Sequence, residues 1–226
     1  MELKNIVPWG RSLEEYRHMF LLLTNDLKSK ILGCGDGPSS FNYEVTNIGG
    51  DVTSIDPIYK FSKKDIRQRI IETSKEVIEQ LSINKDKYVW ENIESIDALY
   101  NIRIESMNSF IEDYEHGISE GRYIYNTLPD LSSFTDKSFD IVLCSHFLFL
   151  YSKHLDLDFH IESILEMCRL AKAEVRVFPI LDLESNKSKH LDKVLEVLVK
   201  NNYKYSIEKS SYEFQRNANQ MLRISI

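Results

Sequence analysis

Apolar positions along this chain fall into short runs that end at glycine or proline, separated by longer stretches where they recur every three or four residues. Seven runs read as strands: 29–35, 51–56, 122–127, 139–144, 173–178, 205–209 and 221–226. The first ends in a glycine cluster, and the second, third and fifth stop at or just before Pro57, Pro129 and Pro179. Ile141-Val142-Leu143-Cys144 is continuously apolar, the pattern of a strand covered on both faces. The spacing predicts a helix over 158–171, with Ile161, Ile164, Leu165 and Cys168 on one stripe. It predicts another over 189–201, with Leu191, Val194, Leu195 and Leu198.

This alternation predicts an α/β fold, a doubly wound, mostly parallel seven-stranded sheet in a single domain over 1–226. The connection 210–220 is too short for a crossover helix, so the last strand is expected antiparallel. About 60 residues separate the second and third strands, where a crossover needs only a dozen or more. Residues 63–82 and 91–115 read as helices, so 63–118 is expected to be a helical insertion. Its Tyr88, Trp90, Tyr100 and Met107 suit either a lid over a pocket or glue between helices.

Composition narrows the function classes. A chain of 226 residues buries enough surface to fold without a disulfide or metal staple. With 28 basic and 35 acidic residues the net charge is −7, and the lysines are scattered among acids; nucleic acid is disfavoured as a partner. Cys34, Cys144 and Cys168 are odd in number and set in apolar runs, which suits buried thiols in a reducing compartment. The opening MELKNIVPWG has no apolar leader core, and no stretch reaches the ~18 apolar residues of a membrane span. The expectation is a cytoplasmic protein without a membrane partner, its oligomeric state left open.

The most informative string is Ile31-Leu-Gly-Cys-Gly-Asp-Gly-Pro-Ser-Ser40, after a predicted strand and before a possible helix. Gly33, Gly35 and Gly37 permit positive φ and close approach of a ligand to backbone. A dinucleotide fingerprint would place glycine or alanine where Pro38 stands, and no Gly-Lys-Ser/Thr follows to make a Walker loop. Asp56 closes the second strand 19 residues after Gly37, near the roughly 20-residue offset of an acid that accepts ribose hydroxyls.

With ILGCGDGPSSF, SIDPIY and FDIVLCSHFLFLYS, the chain resembles a class I S-adenosylmethionine (SAM)-dependent methyltransferase over essentially its whole length. The resemblance implies a Rossmann-like methyltransferase fold with SAM as cofactor. It implies a cofactor site at Gly33, Gly35, Gly37 and Asp56, with Asn126 and Thr127 nearby; Cys34, Asp36, Pro57 and Leu128 beside them, and Ser145 and Arg11 from the strand ends and the opening segment, complete the candidate cofactor set. Within it, Asp56 would hold the ribose, and Asn126 and Thr127 would lie nearest the adenine.

Ligands of open α/β sheets bind beyond the carboxyl ends of the strands. That nominates Ser145 and His146, Pro179 and Asp182, Tyr212–Arg216 and Asn219, with the segment Trp9–Ser12 close by. His146 is the candidate general base, because an imidazole titrates near neutral pH; a structural, hydrogen-bonded histidine is the competing reading. Arg11 and Arg216 are candidates to pair with a cofactor carboxylate or an acidic acceptor.

The chain lacks Asn/Asp-Pro-Pro-Tyr/Phe, a Pro-Cys pair after the fourth strand, and His-Glu-x-x-His. Those absences set aside amino-methylation of adenine or glutamine, thiolate-mediated cytosine chemistry and a metal mechanism. The resemblance implies methyl transfer to an unidentified acceptor, a small molecule, by in-line displacement. Its alternatives are a non-catalytic protein binding SAM or S-adenosylhomocysteine (SAH), and an NAD(P)-dependent oxidoreductase.

Overall fold

The computed structural model describes residues 7–226; the leader-free reading of the opening residues falls largely on 1–6, outside the described residues. Helix α1 (Leu13–Phe20) starts at a capping box. The Ser12 hydroxyl accepts the Glu15 N–H, and the Glu15 carboxylate accepts the Ser12 N–H at 3.1 Å. Strand β1 (Lys30–Cys34) leads through the glycine turn to α2 (Phe41–Asn47), then to β2 (Asp51–Ile55). Two long helices follow, α3 (Lys63–Ile83) and α4 (Ile96–Ser119), before β3 (Tyr123–Ile124). The chain closes with β4 (Phe139–Ser145), α5 (Leu157–Leu170), β5 (Ala171–Phe178), α6 (Leu191–Lys200), β6 (Lys204–Lys209) and β7 (Gln220–Ser225).

The seven strands form one sheet in the order β3-β2-β1-β4-β5-β7-β6, with β7 antiparallel to both neighbours and the other pairs parallel. This is the seven-stranded, mostly parallel α/β sheet with an antiparallel last strand that the sequence pattern predicts. Strand order reverses between β1 and β4, the switch point where such sheets open a crevice. The register makes that edge level: Cys34 pairs with Ile55 on one side and Cys144 on the other.

Apolar side chains fill both faces of the sheet. One core joins Leu32, Val142 and Val175 to α5 and α6 through Ile164, Met167, Val194 and Leu198. The other packs Tyr16, Met19 and Phe20 of α1 and Phe41 of α2 against Ile31, Ile141 and Leu143. A third binds α3 and α4 to the β3 edge through Ile66, Phe110, Tyr114 and Tyr123. Helix α4 runs into β3 and packs on it and on α2, taking the place of the crossover helix, so α3 is the additional element within 63–118.

Two expectations shift. The third strand is only two residues long, not 122–127, because its partner β2 ends at Ile55 and the far side of β3 is a free edge. The core stripe of α5 is rotated from the predicted one: His160 and Met167 are buried while Ile161 and Leu165 are half-buried. A histidine is tolerated there because its ring nitrogens lie 2.6 and 3.0 Å from the carbonyl oxygens of Asp156 and Leu148. Among the described residues no helix is long and apolar enough to cross a membrane.

Candidate functional site

A cavity of about 460 Å³ opens at the carboxyl ends of β1, β2 and β4, where the strand order reverses. Its floor is the turn after β1. Gly35 takes φ +70°, its N–H donates to the Ile55 carbonyl at 2.9 Å, and a Cβ there would meet the Phe147 ring at 3.1 Å. The turn therefore lies tight against the chain leaving β4, and only glycine fits without strain.

Two carboxylates brace this floor. Asp36 folds back under the turn and accepts the hydroxyls of Tyr16 at 2.8 Å and Ser54 at 2.6 Å. Burial pushes its carboxyl up to about 6 against those two hydrogen bonds. Asp56 takes the Gly37 N–H on one oxygen and the Ile58 N–H on the other, both at 2.8 Å. Its carboxyl is also raised to about 6 by burial, opposed by the same two bonds.

Asn126, Thr127 and Leu128 border the cavity beyond β3, with the Asn126 side chain held by the Ser133 hydroxyl at 3.0 Å and by the Thr127 N–H at 2.8 Å. At the end of β4, His146 adopts the left-handed conformation, φ 49°, and its N–H donates to the Phe178 carbonyl at 2.6 Å. Strain of that kind persists only where surrounding structure enforces it, and it concentrates at functional positions. The imidazole Nδ1 lies 3.1 Å from the Ser145 hydroxyl. Burial, then the positive charges of Arg11 and Arg103, hold its pKa well below the usual value, so the ring is neutral at pH 7.

Two guanidinium groups also line the cavity. Arg11 donates to the Trp9 carbonyl at 3.0 Å, and its buried Nε has no partner. Arg103, fully buried in α4, pairs with Glu15 of α1 and donates to the Tyr212 hydroxyl at 3.2 Å; its Nε is also unpartnered. Tyr212 donates in turn to Glu15 at 3.1 Å. Burial and the neighbouring Arg103 lower the pKa of Arg11, as expected of two buried cations close to each other.

Of the sequence-derived residues, Arg11, Gly35, Asp36, Gly37, Asp56, Pro57, Asn126, Thr127, Leu128, Ser145 and His146 meet around this one cavity. Gly33 and Cys34 do not reach its wall. They belong to β1; a Cβ on Gly33 would fall 1.8 Å from the Asp36 carboxylate, and Cys34 lies in the core between Ile55 and Cys144. Arg216 is likewise outside. It is exposed and donates to the carbonyls of Asp86 and Tyr88, tying the β6–β7 connection to the loop after α3. Asp182 accepts the N–H groups of Glu184 and Asn186 in a surface turn, and Asn219 donates to Glu213.

Phe214 and Gln215, from the same connection as Arg216, do line the cavity, as does Tyr88, whose ring stacks on Phe214 at 4.9 Å. Tyr100 is exposed and Met107 is buried against α3. All three cysteines are free and buried, and burial raises their thiol pKa values. Arg103 and Glu15 escaped the sequence reading. The available signal was that Arg103 shares the buried stripe of α4 with Leu99, Met107 and Phe110, an arginine on an apolar face.

No family model matches the chain. Over 225 residues it is 37% identical to the uncharacterized protein MJ0045 of Methanocaldococcus jannaschii, covering 99% of this chain and 98% of that one. The chain belongs to that protein's family. Among solved structures it is similar to the magnesium protoporphyrin IX methyltransferase of Synechocystis with bound SAM, with 12% identity, TM-score 0.47, and coverage of 89% of this chain and 72% of that one. It is also similar to a putative SAM-dependent methyltransferase of Methanococcus maripaludis, with 8% identity, TM-score 0.48, and coverage of 94% and 82%.

Proposed function

We propose that this chain is a SAM-dependent methyltransferase acting on a small-molecule acceptor. The observation that carries the reading is the Asp56 carboxylate. Two of its four lone-pair positions are held by the Gly37 and Ile58 N–H groups, which leaves two at the cavity wall for a pair of ribose hydroxyls. The residues present suit the rest of the cofactor. Asn126, Thr127 and Leu128 would flank the adenine, Gly35 leaves backbone accessible, and the unpartnered Nε of Arg11 would take the carboxylate.

A dinucleotide fits less well. Its pyrophosphate needs free N–H groups at the helix N-terminus. Here the Ser40 N–H donates to the Arg11 carbonyl at 3.1 Å and the Phe41 N–H to the Ser39 hydroxyl at 3.2 Å. SAM has no phosphate and makes no such demand.

When bound, SAM supplies a methyl group on a sulfonium, already activated toward a nucleophile. What the chain must add is placement of the acceptor and a destination for its proton. His146 would serve as that destination. With Nδ1–H given to the Ser145 hydroxyl, Nε2 is free to take a proton, and the depressed pKa keeps it deprotonated at neutral pH.

Ultraviolet crosslinking of methyl-tritiated SAM tests the reading. Labelling that SAH competes away and NADH does not supports it. Labelling that NADH suppresses and SAH leaves intact overturns it.

A further inference from the structure

The cavity lining is chemically uneven. Its charged side chains are Arg11, Asp36, Asp56 and Arg103, carried by the segment before α1, the turn after β1, the end of β2 and α4. Helix α3 and the loop after it, the loop after β4, the start of α5 and the β6–β7 connection contribute Leu81, Tyr88, Leu150, Leu155, Phe159 and Phe214. Among the described residues, those elements contribute no Lys, Arg, Asp or Glu to the lining.

These four charges are already spoken for. Arg103 is matched by Glu15, and Asp36 by Tyr16 and Ser54. Asp56 and Arg11 are the groups assigned above to the cofactor. Resting on that assignment, an acceptor that brought a carboxylate would find no unmatched cation, and one that brought an ammonium would find no unmatched carboxylate. Burying an unpaired charge is far costlier than burying a polar group that can find a hydrogen bond.

We infer that the methyl acceptor is an uncharged, largely apolar molecule with a flat ring, held against the stacked pair Tyr88 and Phe214 and presenting one hydroxyl or amine toward His146. Aromatic walls contributed by separate elements favour offset or edge contacts with such a ring. In the transfer, the acceptor heteroatom forms its bond to the methyl carbon, the carbon–sulfur bond breaks with its electron pair going to sulfur, and the acceptor proton passes to His146.

The test uses the full chain saturated with SAH, titrated by calorimetry with 2-naphthol and with 6-hydroxy-2-naphthoate, which differ only in a carboxylate. The expected result is saturable binding of 2-naphthol and at least about tenfold weaker binding of the carboxylate, the penalty of an unmatched buried charge. In the half-buried position 155, Leu155→Arg supplies the missing cation and should reverse that preference, with unchanged SAH affinity reporting an intact fold. Equal or tighter binding of the carboxylate by the native chain, absence of saturable 2-naphthol binding, or no reversal in Leu155→Arg overturns the inference. Failure of SAH itself to bind removes the cofactor reading and the inference together, a result distinguishable from the others at the first titration.

Discussion

Asp56 and Gly37, 19 residues apart in the chain, are joined by a 2.8 Å hydrogen bond from the Gly37 N–H to the Asp56 carboxylate. The glycine turn and the acid at the end of β2 therefore form one unit. A perturbation of either should be felt by a nucleoside bound to both.

That coupling gives a pH dependence. Burial raises the Asp56 and Asp36 carboxyls to about 6 from the ordinary 3.8. A raised acid pKa means that the folded protein holds more protons than the unfolded chain between about pH 4 and 6, so the stability these two groups confer falls as pH rises through that window. Ligand binding has the opposite slope, because ribose hydroxyls donate to the ionised form. SAH affinity should fall as pH drops below about 6, and Asp56→Asn should bind weakly with that dependence removed. Calorimetry between pH 5 and 8 measures it; an unchanged slope in the variant would assign the titration to another group.

Arg11 is expected to act on the amino-acid portion of the ligand alone. Arg11→Gln should weaken SAH by about 10- to 100-fold, the value of a charge-assisted hydrogen bond of about 1.5–3 kcal/mol. Binding of 5′-methylthioadenosine, which lacks the carboxylate, should be unchanged. Equal losses for both ligands would show that Arg11 shapes the pocket instead of reading the carboxylate.

Arg103 and Glu15 are a buried pair between α4 and α1. Arg103→Met leaves Glu15 without its counter-charge and should cost about 3–5 kcal/mol in urea unfolding. Adding Glu15→Gln should recover a substantial part of that loss. A double variant no better than the single would mean that packing, not charge, dominates the site.

Gly35→Ala should be destabilised by at least about 1–2 kcal/mol, the cost of a left-handed conformation for a residue with a Cβ. The added methyl would also press on Phe147 at 3.1 Å, so SAH binding should fall in parallel. Chemical denaturation and calorimetry on the same preparation check both effects.

The sheet was legible because its strands are punctuated by Gly35, Gly50, Pro57, Gly121 and Pro179, and because 210–220 is too short for a helix. That the glycine turn and Asp56 meet at one cavity was legible because the switch point of an open α/β sheet brings the ends of the first two strands together. Gly33 and Cys34 were assigned to the pocket with the rest of the motif, yet β1 runs through both and turns them into the sheet. Arg216 and Arg103 exchanged places. One arginine near the strand ends became an exposed clamp, and one in mid-helix became a buried part of the cavity lining. The second depends on Glu15, 88 residues away, and no local pattern encodes that meeting.

The central claim is that this cavity holds SAM through Asp56. Its most direct test is calorimetric titration of the native chain and Asp56→Ala with SAM, SAH and NADH. The account predicts micromolar binding of both adenosyl ligands by the native chain, loss of both in the variant, and no binding of NADH. Binding of NADH without the adenosyl ligands, or full SAM and SAH affinity in Asp56→Ala, would contradict it.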